Sequence, residues 1–120
     1  MKHVQVGKTK LAVFTGGEQG HPLLLVHGFP LDHTIWQLQI DFFVDHCRVI
    51  APDLRGFGAS DVTPGVVTME QMADDLSGLL DALDVKEKVI FCGLSMGGYV
   101  GWQFWKKYRH KVLAMIACDT

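Results

Sequence analysis

The sequence predicts an α/β domain, a mostly parallel twisted sheet of about six strands with crossover helices. Three observations lead there. Short apolar runs alternate with helix-like segments along the whole chain, as strands alternate with crossovers in a parallel sheet. The runs Leu23-Leu24-Leu25-Val26 and Val49-Ile50-Ala51 are apolar without alternation, the mark of strands buried on both faces. A further strand-like run, Lys88 to Cys92, passes through a glycine-bounded turn directly into a helix-like segment, Met96 to Tyr108.

Bulk properties narrow the class. The chain has 120 residues, 48% hydrophobic and 20% charged, enough for one domain whose core needs neither metal nor disulfide. A net charge of −2 supplies no basic surface for nucleic acid or an anionic membrane. Met1 to Lys8 lacks the apolar core of a signal peptide, and the longest clean apolar run, Val112 to Cys118, is too short to span a bilayer. The expected location is cytoplasmic. Cys47, Cys92 and Cys118 are odd in number and widely spaced, which predicts reduced thiols, with Cys92 and Cys118 acting as small hydrophobes in strands.

The elements follow in order. His3 to Val6 and Lys10 to Thr15 form an opening hairpin turned near Gly7-Lys8. Leu23 to Val26 and Arg48 to Ala51 are buried strands, the second halted by Pro52. Thr34 to Phe43 is helical. Thr68-Met69-Glu70-Gln71 is a capping box, in which the Thr68 hydroxyl accepts a backbone N–H and Gln71 reaches back. Beyond it, Met69, Met72, Ala73, Leu76, Leu79, Leu80 and Leu83 recur at spacings of three and four, an apolar stripe for the sheet. Asp74, Asp75 and Asp81 are assigned to the wet side. Val112 to Cys118 is the last strand.

Gly93-Leu94-Ser95-Met96-Gly97-Gly98 carries the chemistry. Strand, sharp turn and helix are the setting in which G-x-S-x-G forms a nucleophile elbow. The turn pushes the Ser95 hydroxyl above the sheet, the glycines remove side chains that would collide, and the helix dipole favours developing negative charge. The plainer alternative is a glycine-rich turn whose serine caps the next helix. These glycines lack the lysine that follows a phosphate-binding loop, and no metal cluster or cofactor fingerprint stands elsewhere, so no cofactor is expected.

Two more motifs share that order. His27-Gly28-Phe29-Pro30 follows a buried strand, within the longer His27 to Trp36 stretch. Asp53-Leu54-Arg55-Gly56-Phe57-Gly58-Ala59-Ser60-Asp61 follows the next. With the elbow, they make the chain resemble the α/β-hydrolase superfamily, in particular its esterase, enol-lactonase and cofactor-free peroxidase branch. The resemblance implies backbone oxyanion donors at Phe29 and Met96, and a structural role for His27 beside the oxyanion loop. Asp53 and Arg55 are expected to hydrogen-bond neighbouring backbone or each other.

The resemblance also implies what residues 1–120 do not hold. They form the N-terminal part of a hydrolase domain, a truncated fold lacking the last strands. The family's catalytic histidine comes after the final strand, and none of His3, His21, His33, His46 or His110 matches it. Asp119, at the end of the strand beside the elbow, is a candidate triad acid; the alternative is a strand-end aspartate bonded to local backbone. Phe29, Trp36 and Leu94 are candidates to line an apolar substrate pocket, or else core.

The reading is thus a serine hydrolase of small-molecule carboxylic esters or lactones, catalytically incomplete in this chain. One alternative is a non-catalytic chain that self-associates through its apolar edge strand, Val112 to Cys118. Another is a cofactor-free peroxidase or perhydrolase. Homo-oligomerisation, or a missing C-terminal half, is expected.

Overall fold

The computed structural model describes residues 1–120. The chain opens with an antiparallel hairpin, β1 (Lys2–Val6) and β2 (Thr9–Gly16), in register Val6 to Thr9. Gly7 makes the turn at φ +59°, a left-handed conformation that glycine adopts without cost from a side chain. β2 lies antiparallel on β4 (Arg48–Pro52), and from there the sheet is parallel, through β3 (Pro22–Val26), β5 (Val89–Leu94) and β6 (Val112–Cys118). The six strands stand in the order β1-β2-β4-β3-β5-β6. Every residue of β3 is buried, as its unbroken apolar run requires of the central strand.

Helices cover both faces. α1 (Gln37–Phe43) lies on one face; α2 (Met69–Ala82) and α3 (Met96–Tyr108) pack together on the other. The larger core forms under the helix pair, where Met72, Leu76, Leu79 and Leu80 of α2 meet Leu24, Val26, Ile50 and Phe91 of the sheet. Each fully buried leucine contributes about 1.5–3 kcal/mol. The smaller core joins Leu23, Leu25, Val49 and Ala51 to Trp36 and Ile40. At the start of α2 both capping-box bonds form, Gln71 N–H to the Thr68 hydroxyl at 3.1 Å and Thr68 N–H to the Gln71 side-chain Oε1 at 2.9 Å.

Four expectations need correction. The segment expected as one helix from Thr34 to Phe43 divides into a 3-10 turn, His33–Trp36, capped by Asp32, followed by α1. β5 runs on through Gly93 and Leu94 to the residue before Ser95 and begins after Lys88. Asp75 is not on the wet side. It is buried and takes both forks of the Arg55 guanidinium, at 2.7 and 2.9 Å. Arg55 therefore pairs with α2, 20 residues on, and not with Asp53.

Candidate active site

Ser95 connects the end of β5 to the first residue of α3 at φ +53° and ψ −114°. A non-glycine residue in that region costs about 1–3 kcal/mol and persists only where its surroundings impose it. The surroundings are visible. A Cβ on Gly93 would stand 2.5 Å from the Gly97 carbonyl oxygen, and one on Gly97 would run into the carbonyl oxygens of Val26 and His27. The elbow is therefore closed by backbone lying on backbone. The Ser95 N–H donates to the Cys118 carbonyl at 2.9 Å, and the Thr120 hydroxyl donates to the Ser95 carbonyl at 3.2 Å. Ser95 is exposed and its hydroxyl makes no capping bond to α3, so the capping alternative for this serine does not hold.

The His27-Gly28-Phe29 loop leans on this turn. A Cβ at Gly28 would lie 2.8 Å from the Leu94 carbonyl oxygen, 3.3 Å from the Ser95 Cβ and 3.6 Å from the Met96 nitrogen. Only glycine lets the loop come so near. The Phe29 N–H has no acceptor in the chain, and the Met96 N–H, first in α3, has no intrahelical one. Two unpartnered donors and an exposed hydroxyl thus share one end of the sheet.

His27 is fully buried and held on both ring nitrogens: Nδ1 bonds the Gly28 carbonyl at 2.9 Å, and Nε2 accepts the Leu54 N–H at 2.9 Å. That pattern fixes the neutral tautomer with the proton on Nδ1. Burial keeps its pKa below the usual histidine range, against the opposing bond to Gly28 and the charge of Asp53. Asp53, also buried, gathers the second loop. Its carboxylate accepts His33 N–H at 2.8 Å, bonds His33 Nδ1 at 2.7 Å and accepts Ala59 N–H at 2.9 Å. Gly58 is required because a Cβ there would overlap that carboxylate. Asp32, His33 and Asp53 bring donor atoms within 4.8 Å of one another, as a metal site does. Their oxygens are already used by Thr34, His33 and Ala59, so the cluster works as a hydrogen-bonding node between the loops.

The other singled-out residues are spread out. Phe29 is 70% exposed and meets Phe57 edge to face, while Leu94 is half-buried against the smaller core. Trp36, read as pocket or core, is 7% exposed and packed in the smaller core. Asp119 is exposed at the end of β6 with φ +51°. His3, His21, His46 and His110 are exposed and lie outside the two loops and the elbow. The two surface hollows, of about 430 and 410 Å³, lie around Gly17 and Glu18 and include none of these site residues. No helix is long and apolar enough to cross a membrane.

A sheet with its serine on a strained strand-to-helix turn and an apposed glycine loop defines the hydrolase class of α/β proteins. Residues 21–120 match the alpha/beta hydrolase fold family, and the chain belongs to it. It is 37% identical over 92 residues to 3-oxoadipate enol-lactonase 1 of Acinetobacter baylyi, covering 77% of this chain and 34% of the relative. Epoxide hydrolase 3 of Xenopus tropicalis is 36% identical over 107 residues, 87% of this chain and 29% of that one. Among solved structures, a thermophilic esterase from Thermogutta terrifontis superposes with a TM-score of 0.93 at 50% identity, covering 99% of this chain and 45% of the esterase. The chain spans less than half the length of each.

Proposed function

We propose that the chain carries the nucleophile and oxyanion hole of a serine hydrolase acting on small-molecule carboxylic esters or lactones. The observation that carries this is the exposed, strained Ser95, free of any capping bond, beside the acceptor-free N–H groups of Phe29 and Met96. In the proposed step the Ser95 oxygen bonds to the carbonyl carbon as its proton passes to a base. The carbonyl oxygen takes the negative charge and receives both N–H donors, a contribution of about 3–4 kcal/mol per donor in such sites. Collapse breaks the bond to the alcohol oxygen, which leaves with the proton held by the base, and the acyl-serine is hydrolysed by water to the acid and the free Ser95 hydroxyl.

Serine itself favours carbonyl substrates over epoxides. A serine that opened an epoxide would be left as an alkyl ether with no carbonyl for water to attack, whereas an acyl-serine is itself an ester. Phe29 and Leu94 are the residues proposed to meet the acyl group, and no cofactor enters the step.

The reaction is incomplete within residues 1–120. A serine needs a positioned base. His27 has both nitrogens engaged, His33 is tied to Asp53, and the remaining histidines lie outside the site. The base is proposed to come from outside these residues, which form the N-terminal part of the catalytic domain. Asp119, one residue past the carbonyl that holds the Ser95 N–H, is proposed to orient it. The test is labelling with a fluorophosphonate in the presence of added imidazole as surrogate base, with the adduct located by peptide mass. Labelling at Ser95, lost in Ser95→Ala, supports the reading; adducts that ignore Ser95 overturn it. Without imidazole, turnover of a p-nitrophenyl ester is expected to be several orders of magnitude below that of a complete triad.

A second reading rests on β6. It is an edge strand with Leu113 49% and Ile116 46% exposed, and such edges pair with other chains. Self-association through β6 predicts a dimer by light scattering that a proline at Ala114 abolishes. A monomer at every concentration removes this reading.

A further inference from the structure

Cys92 and Cys118 occupy neighbouring parallel strands, where Cys92 pairs with Ile116 and Leu94 with Cys118. The two cysteines are therefore diagonal neighbours on one face of the sheet. Both pack against the smaller core, and their sulfurs stand 3.9 Å apart. Cys92 is buried and Cys118 half-buried at the end of its strand. Cys47, the remaining thiol, precedes β4 at the opposite end of the sheet. Cys118 is also the residue whose carbonyl accepts the Ser95 N–H.

We infer that Cys92 and Cys118 form a dithiol modification site that peroxide closes to a disulfide, altering the Ser95 elbow, and that thiol reductants reopen. The effect on the elbow rests on the proposed role of Ser95 only where labelling is the readout. The chemistry balances with one peroxide. The Cys118 thiolate bonds to one peroxide oxygen, the O–O bond breaks, and hydroxide leaves as water after protonation. The Cys92 sulfur then bonds to the Cys118 sulfur, the S–O bond breaks, and a second water leaves with the Cys92 proton. Two thiols are oxidised by two electrons and the peroxide is reduced to two waters.

The order of attack follows from the setting. Burial, reinforced by Cys118, pushes the Cys92 thiol up to about 12, which leaves the more accessible Cys118 as the first sulfur to react. Geometry supplies the coupling. Parallel strands lie about 4.8 Å apart and rise about 3.3 Å per residue, so a two-residue diagonal spans about 8 Å, while disulfides span roughly 4.4–6.8 Å between Cα atoms. Closing the bond therefore draws the end of β6 along β5 and carries the Cys118 carbonyl with it. A bridge formed under such strain is readily reduced, as reversible ones are.

The experiment treats the 120-residue protein with hydrogen peroxide, blocks free thiols and digests with trypsin. The expected product joins peptide Val89–Lys106 to peptide Val112–Thr120 within one molecule, with Cys47 alkylated. A bridge to Cys47, bridges only between molecules, or sulfinic acid at Cys118 with Cys92 still alkylated each overturn the site. Coupling is read as faster hydrogen exchange at the Ser95 N–H in the bridged protein, reversed by dithiothreitol; unchanged exchange overturns it. Imidazole-assisted labelling of Ser95 should fall several-fold in parallel, except in Cys118→Ala. If the reduced protein is not labelled at all, the nucleophile reading fails, while peptide mapping and exchange still decide this one.

Discussion

Arg55 and Asp75 form a bidentate pair, Nε to Oδ2 at 2.9 Å and the second arm to Oδ1 at 2.7 Å, that fastens the loop after β4 to the middle of α2. The guanidinium pKa is raised by the hydrogen bond to Asp75 and by its charge. Because Asp75 is buried, removing one partner strands the other. Arg55→Ala is expected to cost about 3 kcal/mol in urea denaturation near neutral pH, and Arg55→Lys, which loses the fork, a large part of it. Pairing Arg55→Met with Asp75→Leu should recover most of that loss, since two apolar groups leave no charge unpaired.

Buried His27 sets the sign of a pH effect. Its folded pKa lies below the ordinary 6.5 because burial penalises the charged ring. The unfolded chain therefore takes up that proton first as pH falls. The stability His27 contributes is complete above pH 6.5 and is lost as pH falls from there through the folded value. Thermal melts across this window should show the midpoint falling with pH, and His27→Gln should flatten that slope. Asp32 is separable: bonds from Thr34 hold its carboxyl below 3.8, so its contribution is lost only in stronger acid.

Two glycines separate close approach from backbone conformation. A Cβ at Gly97 meets the carbonyl oxygens of Val26, the last residue of β3, and of His27, whose buried ring is bonded on both nitrogens, so neither swings aside. Gly97→Ala is expected to cost about 4 kcal/mol or more and to reduce soluble yield. Gly65, at φ +84° with nothing within 4 Å of its missing Cβ, should lose only about 1–2 kcal/mol on the same change. Chemical denaturation of the two variants compares them directly.

The strain at Ser95 predicts an inversion of the usual order. Alanine keeps the Cβ in the unfavourable region and glycine does not. Ser95→Gly should therefore be more stable than Ser95→Ala by about 1–2 kcal/mol, read as a higher melting temperature, with neither variant taking a fluorophosphonate.

Much of this was legible in the sequence, wherever a short-range rule decides the outcome. The capping box at Thr68, the opening hairpin, the unalternating run of β3 and the turn at Ser95 are local patterns with local causes. Asp75 departs from the expectation because a carboxylate ordinarily marks the wet face, and this one is buried with a partner. Its spacing held the contrary signal: Met72 and Leu79 lie three and four residues away on the same face. The missing partner, Arg55, sits in a loop that helical periodicity does not describe. Trp36 stayed open between core and pocket for a similar reason, since only the packing of α1 on the sheet distinguishes an aromatic that fills the core from one that faces a ligand. The His33 bond to Asp53 likewise joins two loops 20 residues apart, with nothing local to announce it.

The strand order sets a timetable for assembly. The hairpin of β1 and β2 and its neighbour β4 are complete within the first 52 residues, but central β3 must wait for β5, beginning at residue 89, to pair its second side. The loop carrying Phe29 and the turn carrying Ser95 flank that late seam. As the chain emerges from the ribosome, the hydroxyl and its neighbouring N–H groups therefore meet only when nearly all of these residues are present. A chain interrupted before β5 leaves hydrophobic β3 as a bare edge of the partial sheet, the form that chaperones and proteases are built to catch.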